Sequence, residues 1–515
     1  MRSTFMGLET ARRGMFTQQS ALHTTGHNIS NANTPGYTRQ RINFEQTEPY
    51  PNASLNRPQI PGQVGTGVKA GSIQRVRESF LDVQYRGENN KLGYWETRAE
   101  AYTKLEEVLN EPSESGLAKT MDQFWQSLQD LAVNPTNPGA RSVVRQRGIA
   151  VAETFNYLQN SLSSIQRDLK NEISVTEKEI NSLTYQISKI NGQIADVEPH
   201  GYLPNDLYDE RDRLIDQLAS IVNIKVDYTN SGGGSLKMAD GQAVIKMVSD
   251  SGKELGILVS GDRNNNVTVN FDGADEAVKT VSIGSSKFDF TELKSTGKLK
   301  ALIDSYGYEE NGKVTGVYPN MMTELDNLAY TFAIEFNNVH KDGMSPNDIA
   351  NQTKAGNSFF ADSENADLQR KGFASRIQLA DAINQSLDNI ATADGADIVN
   401  ATIGDSSNIL KLANIINEKF DYAGDNEQAN FRNYYEGVIG GMAVKSQEAV
   451  RLTQNSGSLR ESVENRRKSV SSVSLDEEMT NMIQFQHAYN ASARMITLQD
   501  EMLDKIINGM GTAGR

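Results

Sequence analysis

The chain has 515 residues, with 51 Lys plus Arg against 66 Asp plus Glu, a formal net charge of −15 and no Cys; one domain usually takes about 100 to 200 residues, so several are expected. The acidic excess is spread along the chain and offers no basic face for a phosphate polymer, which excludes nucleic acid as an expected partner, and no disulfide, thiolate ligand or cysteine nucleophile is available. No apolar run reaches the roughly 18 to 20 residues of a membrane span, and the first thirty residues, with Arg2, Arg12 and Arg13 among Ser, Thr and Gln, lack the apolar core of a secretory signal.

Residues 3 to 31 predict an amphipathic helix, with Leu8, Met15, Leu22 and Ile29 at steps of seven and Phe5 on the same stripe. It runs into Asn28-Ile29-Ser30-Asn31-Ala32-Asn33-Thr34-Pro35-Gly36-Tyr37, where Pro second and Gly third in Thr34 to Tyr37 suit a type II turn. Trp95 to Asn110 and Leu117 to Leu131 read as helices broken by Glu111-Pro112-Ser113, with Asn134-Pro135 and Asn137-Pro138 as the stop. From Phe155 to Val197 apolar residues alternate in threes and fours, giving more than forty residues of helix, a rod of roughly 60 Å or longer at about 1.5 Å per residue.

Residues 222 to 292 change to strand-like alternation at Val222, Ile224, Val226 and Tyr228, with further runs at 244 to 248, 255 to 259, 267 to 271 and 278 to 283 separated by Gly-rich or Asn-rich breaks. One small antiparallel β domain is expected there. Helical spacing returns from Met321 to Val339 and from Tyr434 to Val463, while 343 to 430 carry mixed signals with short helices near 376 to 390 and 406 to 419. Finally, Leu475, Met482, Tyr489, Ile496 and Leu503 repeat every seven residues, with Ser474 and Glu477 as a capping box.

The fold class read from these elements is mainly α with an inserted β domain, an elongated multidomain subunit with paired N- and C-terminal amphipathic helices and a long helical bundle. The division is 1 to 65 with 465 to 515 as a terminal coiled-coil assembly domain, 66 to 221 with 300 to 464 as the bundle including the mixed part, and 222 to 299 as the β insertion. A lone amphipathic helix is marginal in water. Each terminal stripe therefore needs cover, either from the other terminus plus neighbouring copies or from the chain's own core. On the first alternative Leu8, Met15, Leu22, Ile29, Leu475, Met482, Tyr489, Ile496 and Leu503 are subunit-interface residues.

Candidates for chemistry are weak. His23 and His27 stand four apart on a helix, a zinc spacing, without a third ligand nearby, and His200, His340 and His487 are isolated. Asp206, Asp209, Glu210, Arg211, Asp212 and Arg213 alternate in sign, the pattern of a salt-bridged face more than of paired catalytic carboxylates. No phosphate-binding glycine motif occurs. No catalytic residue, cofactor or metal is expected, and the chain reads as a non-enzyme.

The string from Asn28 to Tyr37 resembles the N-terminal signature of the flagellar rod, hook and hook-associated proteins, and Leu475 to Met479 with Gln484, Gln486, Ala488, Tyr489, Ala491, Ala493 and Arg494 resembles their C-terminal one. A long bundle beside such termini is similar to the hook-associated members that form the junction between hook and filament. The resemblance implies a structural, extracellular subunit at that junction, exported unfolded without a cleaved signal. Its implied partners are itself in a ring or helical layer, hook protein below, a second hook-associated junction protein above, and a cytoplasmic export chaperone on the C-terminal helix, with no membrane insertion. Alternatives are another axial component of hook or filament type, an exported coiled-coil adhesin or effector, and, more remotely, a hydrolase built on His23 or Asp209.

Overall fold

The computed structural model describes residues 5–51, 55, 61–111, 113, 116–272, 277–365, 367–396, 399–422 and 428–509. Pro112 and the ends of the expected terminal domain, 1–4 and 510–515, lie outside the described residues.

Helix α1 (Phe5–Ser30) leads through the turn into a hairpin of β1 (Gln40–Gln46) and β2 (Val68–Arg75), antiparallel with Gln40 opposite Arg75 and a bulge between Asn43 and Phe44. Four helices follow: α2 (Ser79–Leu109), α3 (Leu117–Val133), α4 (Pro138–Val197) and α5 (Asn205–Ile221). Asn137-Pro138, expected as a stop, starts α4. The Asn137 side-chain oxygen accepts the amide of Gly139 at 2.8 Å, and Pro fits the first helical position because its missing N–H has no intrahelical partner there. The stripe of α4 is buried as its spacing demands, with Val144, Val151, Phe155, Leu162, Ile173, Ile180, Ile187 and Ile194 fully covered.

The β-rich span holds two sheets where one domain was expected. β3 (Ile224–Thr229), β4 (Gln242–Val248), β5 (Glu254–Ser260) and β6 (Arg263–Asn264) form a sequential antiparallel sheet. β7 (Val267–Asp272), β8 (Ala277–Ile283) and β9 (Ser286–Asp289) instead join β10 (Tyr308–Glu310) and β11 (Lys313–Thr315), which follow α6 (Lys298–Tyr306), in the order β11-β10-β8-β7 with β9 also on β8. Alternation marks a strand but not its partner, and three-residue strands fall below what periodicity registers.

Helix α7 (Val317–Asp342) precedes the mixed region: α8 (Pro346–Asn351), the pair β12 (Phe360–Asp362) and β13 (Ile377–Leu379), α9 (Asp381–Gln385), α10 (Ser407–Asn414) and the pair β14 (Phe420–Asp421) and β15 (Gln428–Ala429). Two long helices close the chain, α11 (Phe431–Ser471) and α12 (Leu475–Gly509). Contacts divide the chain into a first unit of Met1–Lys91, Ile180–Asn266 and Ser456–Arg515, and a second of Leu92–Glu179 and Val267–Asn455.

The second unit is centred on Phe124, Phe332, Phe336, Phe359 and Phe360, all fully buried, with ring centroids 5.0 Å apart for Phe332 and Phe360. Asn337 fastens the mixed region to α7, donating to the Phe360 carbonyl at 2.8 Å and accepting the amides of Phe359 and Phe360 at 2.8 and 2.9 Å. His340, isolated in sequence, is a structural residue: Nδ1 donates to the Asn357 carbonyl at 2.8 Å and Nε2 accepts the Ala391 amide at 3.1 Å. Burial holds its imidazole down at about 4, so it is neutral at neutral pH.

Candidate assembly interface

The turn after α1 has the geometry its sequence predicts. Gly36 sits at φ +84° and the Tyr37 amide donates to the Thr34 carbonyl at 3.2 Å, the closing bond of a type II turn. Asn31 caps the helix by donating to the His27 carbonyl at 3.1 Å and accepts the Thr34 hydroxyl at 3.1 Å. Asn33, Thr34, Pro35 and Gly36 are exposed.

Asn28 is the hub. Its amide nitrogen donates to the Gln40 carbonyl at 2.8 Å and to Glu478 at 3.1 Å, and its oxygen accepts the Tyr37 hydroxyl at 2.8 Å and the Gln40 amide at 3.0 Å. All four hydrogen-bonding positions of this buried carboxamide are satisfied. The side chain thereby ties α1 to the turn, β1 and the start of α12. Glu478 is also held by Arg39 Nε at 2.7 Å, and Glu477 by Arg39 Nη1 at 2.6 Å. Burial, then the nearby Asp206, Asp209 and Glu478, pushes the Tyr37 phenol well above its ordinary range, which keeps it a donor.

From that point α12 runs back along α1. A Cβ on Gly14 would stand 3.1 Å from Ser492, and one on Gly7 would stand 3.0 Å from Gln499. Each step of seven down α1 thus matches a step of seven up α12, an antiparallel seam of heptad type. On α1 the closest approach is lined by small or polar residues, Gly7, Gly14, the fully buried Ala21 and Asn28. Leu8, Met15, Leu22 and Ile29 lie one position on and are half-buried. On α12 Met482, Tyr489, Ile496 and Leu503 alternate with Glu478, Phe485, Ser492 and Gln499 at four and three, share their face, and are half-buried, while Leu475 is exposed. Beneath α1, the Thr17 hydroxyl reaches the Val68 carbonyl of β2 at 3.2 Å.

The first unit is braced by buried charges. Arg75 Nη1 bonds Asp209 at 2.8 Å and Asp212 at 2.9 Å, Arg77 takes Asp82 with two bonds of 2.7 and 2.9 Å, and Arg86 reaches Asp216 at 2.8 Å and Asp212 at 3.2 Å. Burial opposes the charge of Asp212, but the guanidiniums of Arg77, Arg75, Arg86 and Arg211 outweigh it and hold the carboxyl far below the usual carboxylate range. At Asp209 burial prevails and raises the carboxyl, although the Thr38 amide donates to it at 2.9 Å. Within the alternating charges at 206 to 213, Asp209, Arg211 and Asp212 are therefore buried in the clamp, while Asp206 and Glu210 are exposed and Glu210 pairs with Arg213 at the surface. A signal existed in the sequence: Arg75, the last residue of β2, and Arg77 are two apart, and Asp209 and Asp212 are three apart on one helix face.

His23 is exposed, and His27 packs edge-on against Tyr37 at 5.5 Å, with Nε2 3.5 Å from Asp206. Among the described residues no three His, Asp or Glu side chains gather to hold a metal, and no helix is long and apolar enough to cross a membrane. What the arrangement offers is surface. Met495, Leu498, Met502 and Ile506, spaced for one flank of α12, are each 44 to 49% exposed, a second apolar row beside the seam.

Comparison with known proteins matches three parts of this architecture. Residues 102–360 match the family model described as the flagellar hook-associated protein FlgK helical domain, residues 8–38 the flagella basal body rod protein model, and 469–509 the C-terminal model of the flagellar basal body rod FlgEFG proteins. The chain is 45% identical over 521 residues to flagellar hook-associated protein 1 of Bacillus subtilis, with all of both chains covered. It belongs to the flagellar hook-associated protein 1 family. The family member of Escherichia coli is 23% identical, over 97% of this chain and 99% of its own. In fold, the flagellar hook junction protein FlgK from Burkholderia pseudomallei superposes with a TM-score of 0.58 at 13% identity, over 76% of this chain and 100% of the other. In this family member the two rod-type models fall on α1 with its turn and on α12, the two helices of the seam.

Proposed function

We propose that this flagellar structural chain forms the layer between hook and filament, assembling with its own copies through α1 and α12. It would rest on hook protein, present its other surface to a second hook-associated junction protein, and be carried before export by a chaperone on α12. The role is architectural, with no catalytic step. One observation supports it above the rest: α12 keeps a complete apolar row, Met495, Leu498, Met502 and Ile506, outside its contact with α1. Covering such side chains contributes about 1.5 to 3 kcal/mol each when burial is complete, and a closed or helical array repeats that gain at every subunit.

The terminal domain at 1 to 65 with 465 to 515, and the interface role of Leu8, Met15, Leu22, Ile29, Leu475, Met482, Tyr489, Ile496 and Leu503, are part of this proposal. The test replaces Leu22 or Ile496 with Asp in cells. Loss of filaments from intact hooks, with the purified variant still folded, is expected, and filaments of normal number and length would overturn the reading.

A further inference from the structure

Within the second unit a cleft of about 670 Å³ opens between the β10–β11 hairpin, α2, α7 and α11, inside the usual size range of binding sites. Three features of its wall converge. Among the described residues β11 is the last strand of its sheet, bonded only to β10. Asn311 at φ 52° and Gly312 at φ 76° make a two-residue turn, so Glu310 and Lys313 are its hydrogen-bonded closing pair and Glu309 and Val314 the next, non-bonded pair. The N–H and C=O of Val314, which lines the cleft, consequently point away from the sheet and carry no strand partner.

The second feature is charge. Lys313 and Lys445 are exposed on the rim, and the guanidinium of Arg98 is held in the wall by the Tyr94 hydroxyl at 2.6 Å. Of the two acidic side chains among the described lining residues, Asp304 is paired with Lys300 and bonded by the Tyr94 hydroxyl at 3.1 Å, while Glu324, which accepts the Tyr434 hydroxyl, keeps its charge against the three of Arg98, Lys313 and Lys445. The cleft is left with surplus positive charge in an acidic molecule. The third feature is a bare floor. Gly437 and Gly441 of α11 line it, and no atom stands within 4 Å of where a Cβ on either would sit, so another backbone can lie close against the helix.

We propose that this cleft docks an extended acidic peptide segment of a partner protein, which adds to the free edge of β11 while its carboxylates meet Lys313, Lys445 and Arg98. A free strand edge supplies main-chain bonds, and side-chain pockets or charges beside it select the sequence. A small anion has no use for the edge, and a basic segment is repelled by the rim. The proposal stands independently of the junction role.

The test is a fluorescence-anisotropy titration of the full chain with a labelled hexapeptide of alternating Glu and Val. Saturable binding is expected, weakened at least tenfold in the K313E/K445E double variant and at least tenfold when every second peptide nitrogen, in either phase, is methylated to block strand pairing. Both lysines are exposed, so circular dichroism should show the variant folded. Absence of saturation below about 1 mM overturns the proposal. So does equal binding of a Lys and Val peptide, or full affinity after methylation. A heparin tetrasaccharide that binds more tightly than the peptide, and loses affinity in K313E/K445E, would assign the cleft to sulfated glycan and overturn it as well.

Discussion

Helices α7 and α12 are of comparable length but are finished to different degrees. Over 26 residues α7 buries fourteen side chains, among them Phe332, Phe336, Asn337 and His340. Over 35 residues α12 buries one, Glu478, and that one is a carboxylate held by Asn28 and Arg39. A helix whose apolar face is covered by its own chain derives its stability from tertiary packing. One that shares a single seam with a single partner has that contribution only along the seam. The difference separates a part of the molecule whose structure is settled within the chain from a part that has surface in reserve.

That contrast can be broken most forcefully at Phe332. Phe332→Ala should cost about 3 to 5 kcal/mol, read as a lower urea midpoint by tryptophan fluorescence, since the only two Trp, Trp95 and Trp125, lie in the second unit. Loss of less than about 1 kcal/mol would mean that this core is not the settled part. A second prediction follows from His340. Its folded-state value is depressed to about 4 from 6.5, so the unfolded chain takes up a proton first as pH falls. The stabilisation is present above about 6.5 and is lost progressively between 6.5 and 4, amounting to about 3 kcal/mol at about 1.4 kcal/mol per pH unit. His340→Gln should flatten that slope in the same fluorescence assay, and an unchanged slope would move its origin elsewhere.

The seam is sharpened by smaller effects. Asn28→Ala leaves the Gln40 amide and carbonyl without this partner and should cost the first unit about 1 to 3 kcal/mol, seen as faster hydrogen exchange through residues 28 to 40 with the tryptophan transition unmoved. Ile496→Asp, on the seam of the first unit, should shift the tryptophan-reported unfolding of the second unit least, by no more than about 0.5 kcal/mol, although it is expected to stop assembly. A large fall in the Trp-reported midpoint for Ile496→Asp would erase the distinction between the two helices.

The long helices were legible because their apolar residues recur at threes and fours over many turns, as from Phe155 to Val197, and the type II turn because Pro35 and Gly36 restrict the backbone to few conformations. The α12 face was legible for the same reason. Its counterpart on α1 was not: Gly7, Gly14, Ala21 and Asn28 do not register as a hydrophobic stripe, whereas Leu8, Met15, Leu22 and Ile29, one position on, do. The two sheets were merged because alternation says nothing about pairing. In the region from 343 to 430 the short helices near 376 to 390 and 406 to 419 were legible, as α9 and α10; the pair β12 and β13 was not, because the segment before and at β12 is held by tertiary bonds to Asn337 and His340, which no local pattern announces. The clamp of Arg75, Arg77 and Arg86 on Asp209 and Asp212 required two distant segments to be seen together.

The repeat of seven on both terminal helices carries an ambiguity, since displacing α12 along α1 by one heptad would set Gln499 against Gly14 with little change in the fit. Asn28 removes it. Only in the observed alignment does its carboxamide meet the carboxylate of Glu478, itself pinned by Arg39, and a displaced pairing would strand both polar groups. The pair acts as the zero mark on a sliding scale, and it would give every copy in an array the same reach at its far tip.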